Sequence, residues 1–139
     1  MDSKPTWWPA PEPGDIVWCH FPQVPGNPGP KPRPALVLSV DDTNPSEPWV
    51  EVMYGTSQKT ASPRSGELLI SKATNLTAYR QAGLSFDTKF DFKQIVRLPY
   101  DDEWFGQFPG SLRRTPVMGS LHSSLIRSAR AAYQAANSE

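Results

Sequence analysis

The chain has 139 residues, with 14 Lys plus Arg balanced by 14 Asp plus Glu, one cysteine and 16 prolines. That length suits one domain with a core large enough to stand without disulfides. The even charge excludes a binder that holds nucleic acid by bulk basicity, so such a site has to come from local placement. Cys19, the lone cysteine, excludes an intrachain disulfide and fits a reducing compartment.

Hydrophobic residues make up 37% of the chain, and the prolines account for much of the shortfall, which predicts a β-rich domain with proline-heavy connections. Met1 to Gly14 has no charged-then-apolar leader. No apolar run approaches the ~20 residues that span a bilayer. A cytoplasmic protein with no membrane association is expected.

Residues 1–13 form an extension rich in proline and tryptophan, where Pro5, Pro9, Pro11 and Pro13 forbid regular structure and Trp7 and Trp8 call for a surface to pack on. Asp15 to Phe21 alternates as a strand, with Ile16, Trp18 and His20 on one face and Val17, Cys19 and Phe21 on the other. Pro22 to Pro32 is a loop of about ten residues, long enough to suggest a functional one. Pro34 to Val40 is nearly all apolar and reads as a strand buried on both faces. Trp49 to Tyr54 is a third strand, and Gly55 to Ser65 a polar loop.

Glu67 to Ser71 is a short strand. Asn75 to Ala82 suits a short helix closed by Gly83. A further alternation runs through Leu84 to Leu98, followed by an irregular stretch, Tyr100 to Gly110, whose Asp101-Asp102-Glu103 reads as a solvated turn. The period then becomes helical at Leu121, Leu125, Ala129, Ala132 and Ala136. This predicts one helix over about 117–136, capped by Ser120 or begun at Pro116. The whole chain, 1–139, is expected to be one domain.

There is no cysteine–histidine cluster, phosphate-cradling glycine loop or nucleophile elbow, and His20 and His122 are the only histidines. No metal or other cofactor is expected. What remains is Lys31-Pro32-Arg33-Pro34, an arginine restrained by a proline on each side where a loop meets a strand. That is a firm mount for a guanidinium gripping a phosphate; taken alone, a surface arginine ending a loop is the plainer reading. Gly55-Thr56-Ser57-Gln58-Lys59 gathers two hydroxyls, an amide and an ammonium, either as a phosphate-binding loop or as an ordinary polar turn.

Taken in order, Gly14-Asp15-Ile16-Val17-Trp18, Lys31-Pro32-Arg33-Pro34-Ala35-Leu36-Val37-Leu38-Ser39 and Tyr54-Gly55-Thr56-Ser57-Gln58-Lys59 resemble the MazF/PemK family of toxins, closely over residues 14–71 and weakly beyond. The resemblance implies a mainly β, SH3-like small barrel with a C-terminal helix, usually a homodimer. It implies a metal-independent endoribonuclease that cuts single-stranded RNA at short sequences and is neutralised by a cognate antitoxin. The family's catalytic arginine and threonine fall on Arg33 and Thr56, with Lys31, Ser57, Gln58 and Lys59 in place to orient RNA. Some relatives carry an Asp-Gln pair on the late strand. Here Lys93 precedes Gln94, and Asp91, two residues earlier on the same face, is the substitute.

His20 reads first as a packed histidine and second as a proton carrier near the cleft. Two other functions fit the same chain: a non-catalytic SH3-like barrel that binds nucleic acid or protein, and an adaptor or inhibitor that presents Trp7, Trp8 and Trp104 on an exposed apolar patch.

Overall fold

The computed structural model describes residues 4–138. Six strands form one antiparallel sheet: β1 Asp15–Cys19, β2 Arg33–Asp41, β3 Trp49–Thr56, β4 Glu67–Ile70, β5 Thr88–Pro99 and β6 Val117–Ser120. Their spatial order is β4-β5-β3-β2-β1-β6, and the sheet curls into a half-barrel. Two helices complete it, α1 Leu76–Gln81 and α2 Ile126–Asn137, the second preceded by a single tight turn at Ser123–Leu125. The mainly β architecture with a C-terminal helix is the one the resemblance implied. Among the described residues no helix is long and apolar enough to cross a membrane.

Both faces of the sheet are buried, which is why β2 is nearly continuous in apolar residues. On one face Ile16, Leu36, Met53, Leu68, Phe90 and Phe92 meet Ala78 of α1, Ala82 just after it and Ala132 of α2. On the other, Val17, Ala35, Val37, Val50, Val52 and Leu98 pack under Tyr100, Trp104 and Phe105. Each buried Val, Leu, Ile, Phe or Met among them contributes about 1.5–3 kcal/mol by leaving water.

The cover over the second face is made by the tryptophan-bearing N-terminal extension and the irregular stretch after β5. Trp8 donates through its amide to the Tyr100 carbonyl at 3.0 Å and through Nε1 to that of Phe105 at 3.0 Å. Thr6 and Asp102 exchange two hydrogen bonds of 3.0 and 2.8 Å. The acidic run is therefore not a solvated turn throughout: Asp101 is buried, its carboxylate accepting from the amides of Glu103 and Trp104 at 3.0 and 3.3 Å.

The expected helix over 117–136 begins later. Residues 117–120 are β6, pairing with β1 at Ile16–Gly119 and Val17–Val117. A helix here would leave the outer edge of β1 unpaired. Gly119 suits the strand because a Cβ there would lie 2.2 Å from the Gln81 carbonyl oxygen of α1. Ser120 caps nothing; His122 Nδ1 accepts from the Ser124 amide at 3.0 Å instead, and α2 starts at Ile126.

β1 stops at Cys19, since the His20 amide is taken by the Trp104 carbonyl at 2.8 Å. β3 runs two residues further than its alternation indicated, so Gly55 and Thr56 are ladder residues. α1 matches its expected bounds, with the Asn75 side chain accepting from the Ala78 amide and Gly83 at φ +72°.

Candidate functional site

The rigid part of the site is a row across three strands. The β2–β3 register sets Ala35 opposite Tyr54 and Leu36 opposite Met53; extended by two residues, it brings Arg33 opposite Thr56. In β5, Lys89 lies opposite Thr56, so Arg33 and Lys89 flank the threonine from neighbouring strands, each about 4.8 Å away along the sheet. The next row on the same face holds Tyr54, Asp91 and Glu67, since Asp91 pairs across to both of the others. Phe90, between Lys89 and Asp91, points the opposite way into the core.

Close approach of β2 and β3 is possible because Gly55 has no side chain. A Cβ there would sit 2.3 Å from the Pro34 carbonyl oxygen and 2.8 Å from the Phe90 ring. Thr56 is half-buried, and its hydroxyl oxygen accepts from the Gln58 amide at 3.1 Å, leaving the hydroxyl hydrogen to donate outward. Arg33 is half-buried, and among the described residues no carboxylate pairs with it. Lys89 is buried and bonded to Glu67 at 3.3 Å. A cleft of 270 Å³, lined by Arg33 and Ser57 together with Trp18, Phe86 and Phe108, opens on the other face of the sheet, the one to which Phe90 points; Thr56, Lys89 and Asp91 do not line it. Phe108 meets Trp18 edge-on at 4.8 Å, and Phe86 is 71% exposed.

Asp91 is held by the Lys93 amide at 2.9 Å and by Gln94 Nε2 at 2.8 Å. Between Met53, opposite Ile95, and Tyr54, opposite Asp91, β5 carries three extra residues. This bulge folds Gln94 back onto Asp91, so an aspartate–glutamine pair is assembled although the two are not adjacent in sequence.

Ser57, Gln58 and Lys59 are exposed on the loop after Thr56, with Lys59 in the left-handed region at φ +54°. Lys31 is exposed at the end of the proline loop. His20 stands apart from the row: its Nδ1 is hydrogen-bonded to the Gly29 carbonyl at 2.9 Å and so ties that loop to β1. Cys19 is the cross-strand partner of Arg33, but burial pushes its thiol well above the usual range, which removes it as a nucleophile. Among the described residues no three His, Cys, Asp or Glu side chains gather as metal ligands.

Sequence reasoning missed Lys89, Glu67 and the aromatic wall of the cleft. The Lys89–Asp91 alternation was visible, but nothing local indicated that Lys89 would face Thr56.

No curated protein matches the chain. A family model described as PemK-like, MazF-like toxin of type II toxin-antitoxin system matches residues 12–125, a span that contains all six strands and every residue of the Arg33–Thr56–Lys89 row. With the match covering most of its length and the curled sheet in place, this chain belongs to the PemK-like, MazF-like toxins of type II toxin–antitoxin systems.

Proposed function

We propose that this toxin is an endoribonuclease that cuts single-stranded RNA without a metal ion, works as a homodimer and is restrained by a cognate antitoxin laid over the cleft. The observation that carries the reading is the opposition of Arg33 and Thr56, with Lys89 and Asp91 on the same face of the sheet. The ribose 2′-OH is an internal nucleophile, so the reaction needs no metal-activated water. Its oxygen attacks the adjacent phosphorus, the P–O5′ bond breaks, and the products are a 2′,3′-cyclic phosphate and a 5′-hydroxyl. Arg33 stabilises the charge that develops on the phosphoryl oxygens, and the Thr56 hydroxyl donates to the same group and holds it in line. Asp91, on the same face, takes the 2′-OH proton, and Lys89 supplies one to the departing 5′-oxygen. Lys31, Ser57, Gln58 and Lys59 steer the flanking backbone.

The adaptor reading required Trp7, Trp8 and Trp104 on an exposed apolar patch; Trp104 is buried, and Trp7 and Trp8 are half-buried against the segment after β5. A barrel of this kind that binds RNA without cutting it is the remaining alternative.

The test is a long single-stranded RNA incubated in EDTA with the wild-type protein, Arg33→Ala and Thr56→Ala. Discrete cuts by the wild type, absent with both variants, support the reading. Intact RNA with all three folded proteins sinks it in favour of a binding module.

A further inference from the structure

A second and larger groove, 630 Å³, lies between the proline loop and β5. One end adjoins the site: Phe21 lines the groove and packs on Tyr54 with ring centres 5.2 Å apart, and Gln94 lines it while donating to Asp91. The other end is closed by Trp49, at the start of β3, and by Arg97, whose guanidinium sits 5.0 Å from the centre of the Trp49 ring. Thr56 and Trp49 are seven residues apart on the same strand, so the groove leads roughly 23 Å away from the site.

Its lining is chemically selective. Arg97 contributes a cation, and no carboxylate lines it, in a chain whose net charge is zero. Arg97 is also bound to Asp41 at 2.9 Å, outside the lining, which fixes the guanidinium over the indole. Trp49 is 37% exposed, so part of its ring remains open to a ligand. A flat aromatic surface stiffened by a stacked guanidinium, at the end of a groove that no carboxylate lines, suits a nucleobase of an anionic strand.

We propose that the RNA strand leaves the Arg33–Thr56 site along this groove and that Trp49, with Arg97 stacked on it, is a nucleobase subsite several nucleotides from the cleaved bond. The inference rests on the ribonuclease reading. It assigns the groove to RNA rather than to an acidic protein segment, and it makes substrate length a property of the enzyme: RNA too short to reach Trp49 lacks one stacking contact.

Two measurements separate the claims. The first compares cleavage by wild type, Trp49→Ala and Trp49→Phe of a long RNA and of oligonucleotides trimmed nucleotide by nucleotide on either side of a mapped cut. Trp49→Ala is expected to cut the long RNA roughly 5- to 150-fold more slowly, the loss of one stacked base. Trp49→Phe recovers most of the rate, and the deficit disappears on RNA trimmed from one side. Equal rates for wild type and Trp49→Ala on long RNA overturn the proposal, as does a deficit that persists unchanged on every trimmed RNA. The second measurement is anisotropy of a labelled 12-nucleotide RNA and of a labelled poly-glutamate peptide with the same proteins. If nothing cuts RNA but RNA binding still falls on Trp49→Ala, the ribonuclease reading fails and the subsite stands. If only the peptide binds in a Trp49-dependent way, or RNA does not bind, the RNA assignment is overturned.

Discussion

The Lys89 ammonium lies 3.3 Å from the Glu67 carboxylate, with only 8% and 11% of the two side chains exposed, directly across the ladder from Thr56. Glu67 also accepts from the Arg64 amide, so the pair is anchored to the loop leading into β4. Leaving one member of such a pair alone strands a charge where water is scarce. Glu67→Gln is expected to destabilise the fold by about 3–5 kcal/mol. Replacing both, Lys89→Met with Glu67→Leu, should recover much of that stability while leaving cleavage impaired, because the cation beside Thr56 is gone. Urea denaturation and single-turnover cleavage, run on the same preparations, check the two halves separately.

In the proposed reaction Arg33 acts through shape as well as charge. A guanidinium reaches two phosphoryl oxygens at once, whereas an ammonium is a point charge. Arg33→Lys is therefore expected to keep the fold and lose most of the activity. Arg33→Ala should lower the cleavage rate by about 10²- to 10³-fold, the usual effect of removing one transition-state donor. Rates of Arg33→Lys close to wild type would show that charge alone suffices there.

Gly55 keeps β2 and β3 close enough for Arg33 and Thr56 to face each other. A methyl group at this position meets the Pro34 backbone and the fixed Phe90 ring, neither of which can yield cheaply. Gly55→Ala is expected to cost about 1–3 kcal/mol through overpacking. Cleavage should fall more than the lost folded fraction explains, because the register at the site shifts. Thermal unfolding with a rate measurement well below the transition decides this.

Asp101 offers a pH signature. Desolvation by burial raises its carboxyl above the ordinary 3.8, outweighing the opposing pull of the Glu103 and Trp104 amides. The folded protein thus holds this proton more tightly than the unfolded chain does. Stability from Asp101 falls as pH rises from about 3.8 through the raised value, and the deficit is complete above it. Asp101→Asn keeps an oxygen for both amides without the charge. Its stability relative to wild type is expected to improve as pH climbs through that window and then level off. Asp101→Ala leaves the amides unpaired and should cost about 1 kcal/mol or more at every pH. Denaturation midpoints from pH 4 to 8 test the sign.

Local pattern carried much of the fold. The alternation in residues 15–19 and 49–54, the apolar run of β2 and the capped α1 were legible because each depends on neighbours two to four positions away. The start of α2 was not: Val117 to Ser120 fits either a helix or a strand, and only the open edge of β1 selects the strand. Asp101 read as solvated because its burial comes from residues near the other end of the chain.

By itself the sequence determined the family, through three ordered motifs, and marked Arg33 and Thr56 as the pair to examine. Motifs of that kind are local, and local order survives in a linear reading. Only the tertiary structure decided which side chains join them. Lys89 and Asp91 lie beside Thr56 and Tyr54 because β5 pairs with β3 in one register, and Gln94 meets Asp91 because a bulge inserts three extra residues there. Trp49 and Arg97 stack because β3 and β5 run side by side. Register is set by the packing of both buried faces at once, a sum over the whole core that no single stretch of residues contains.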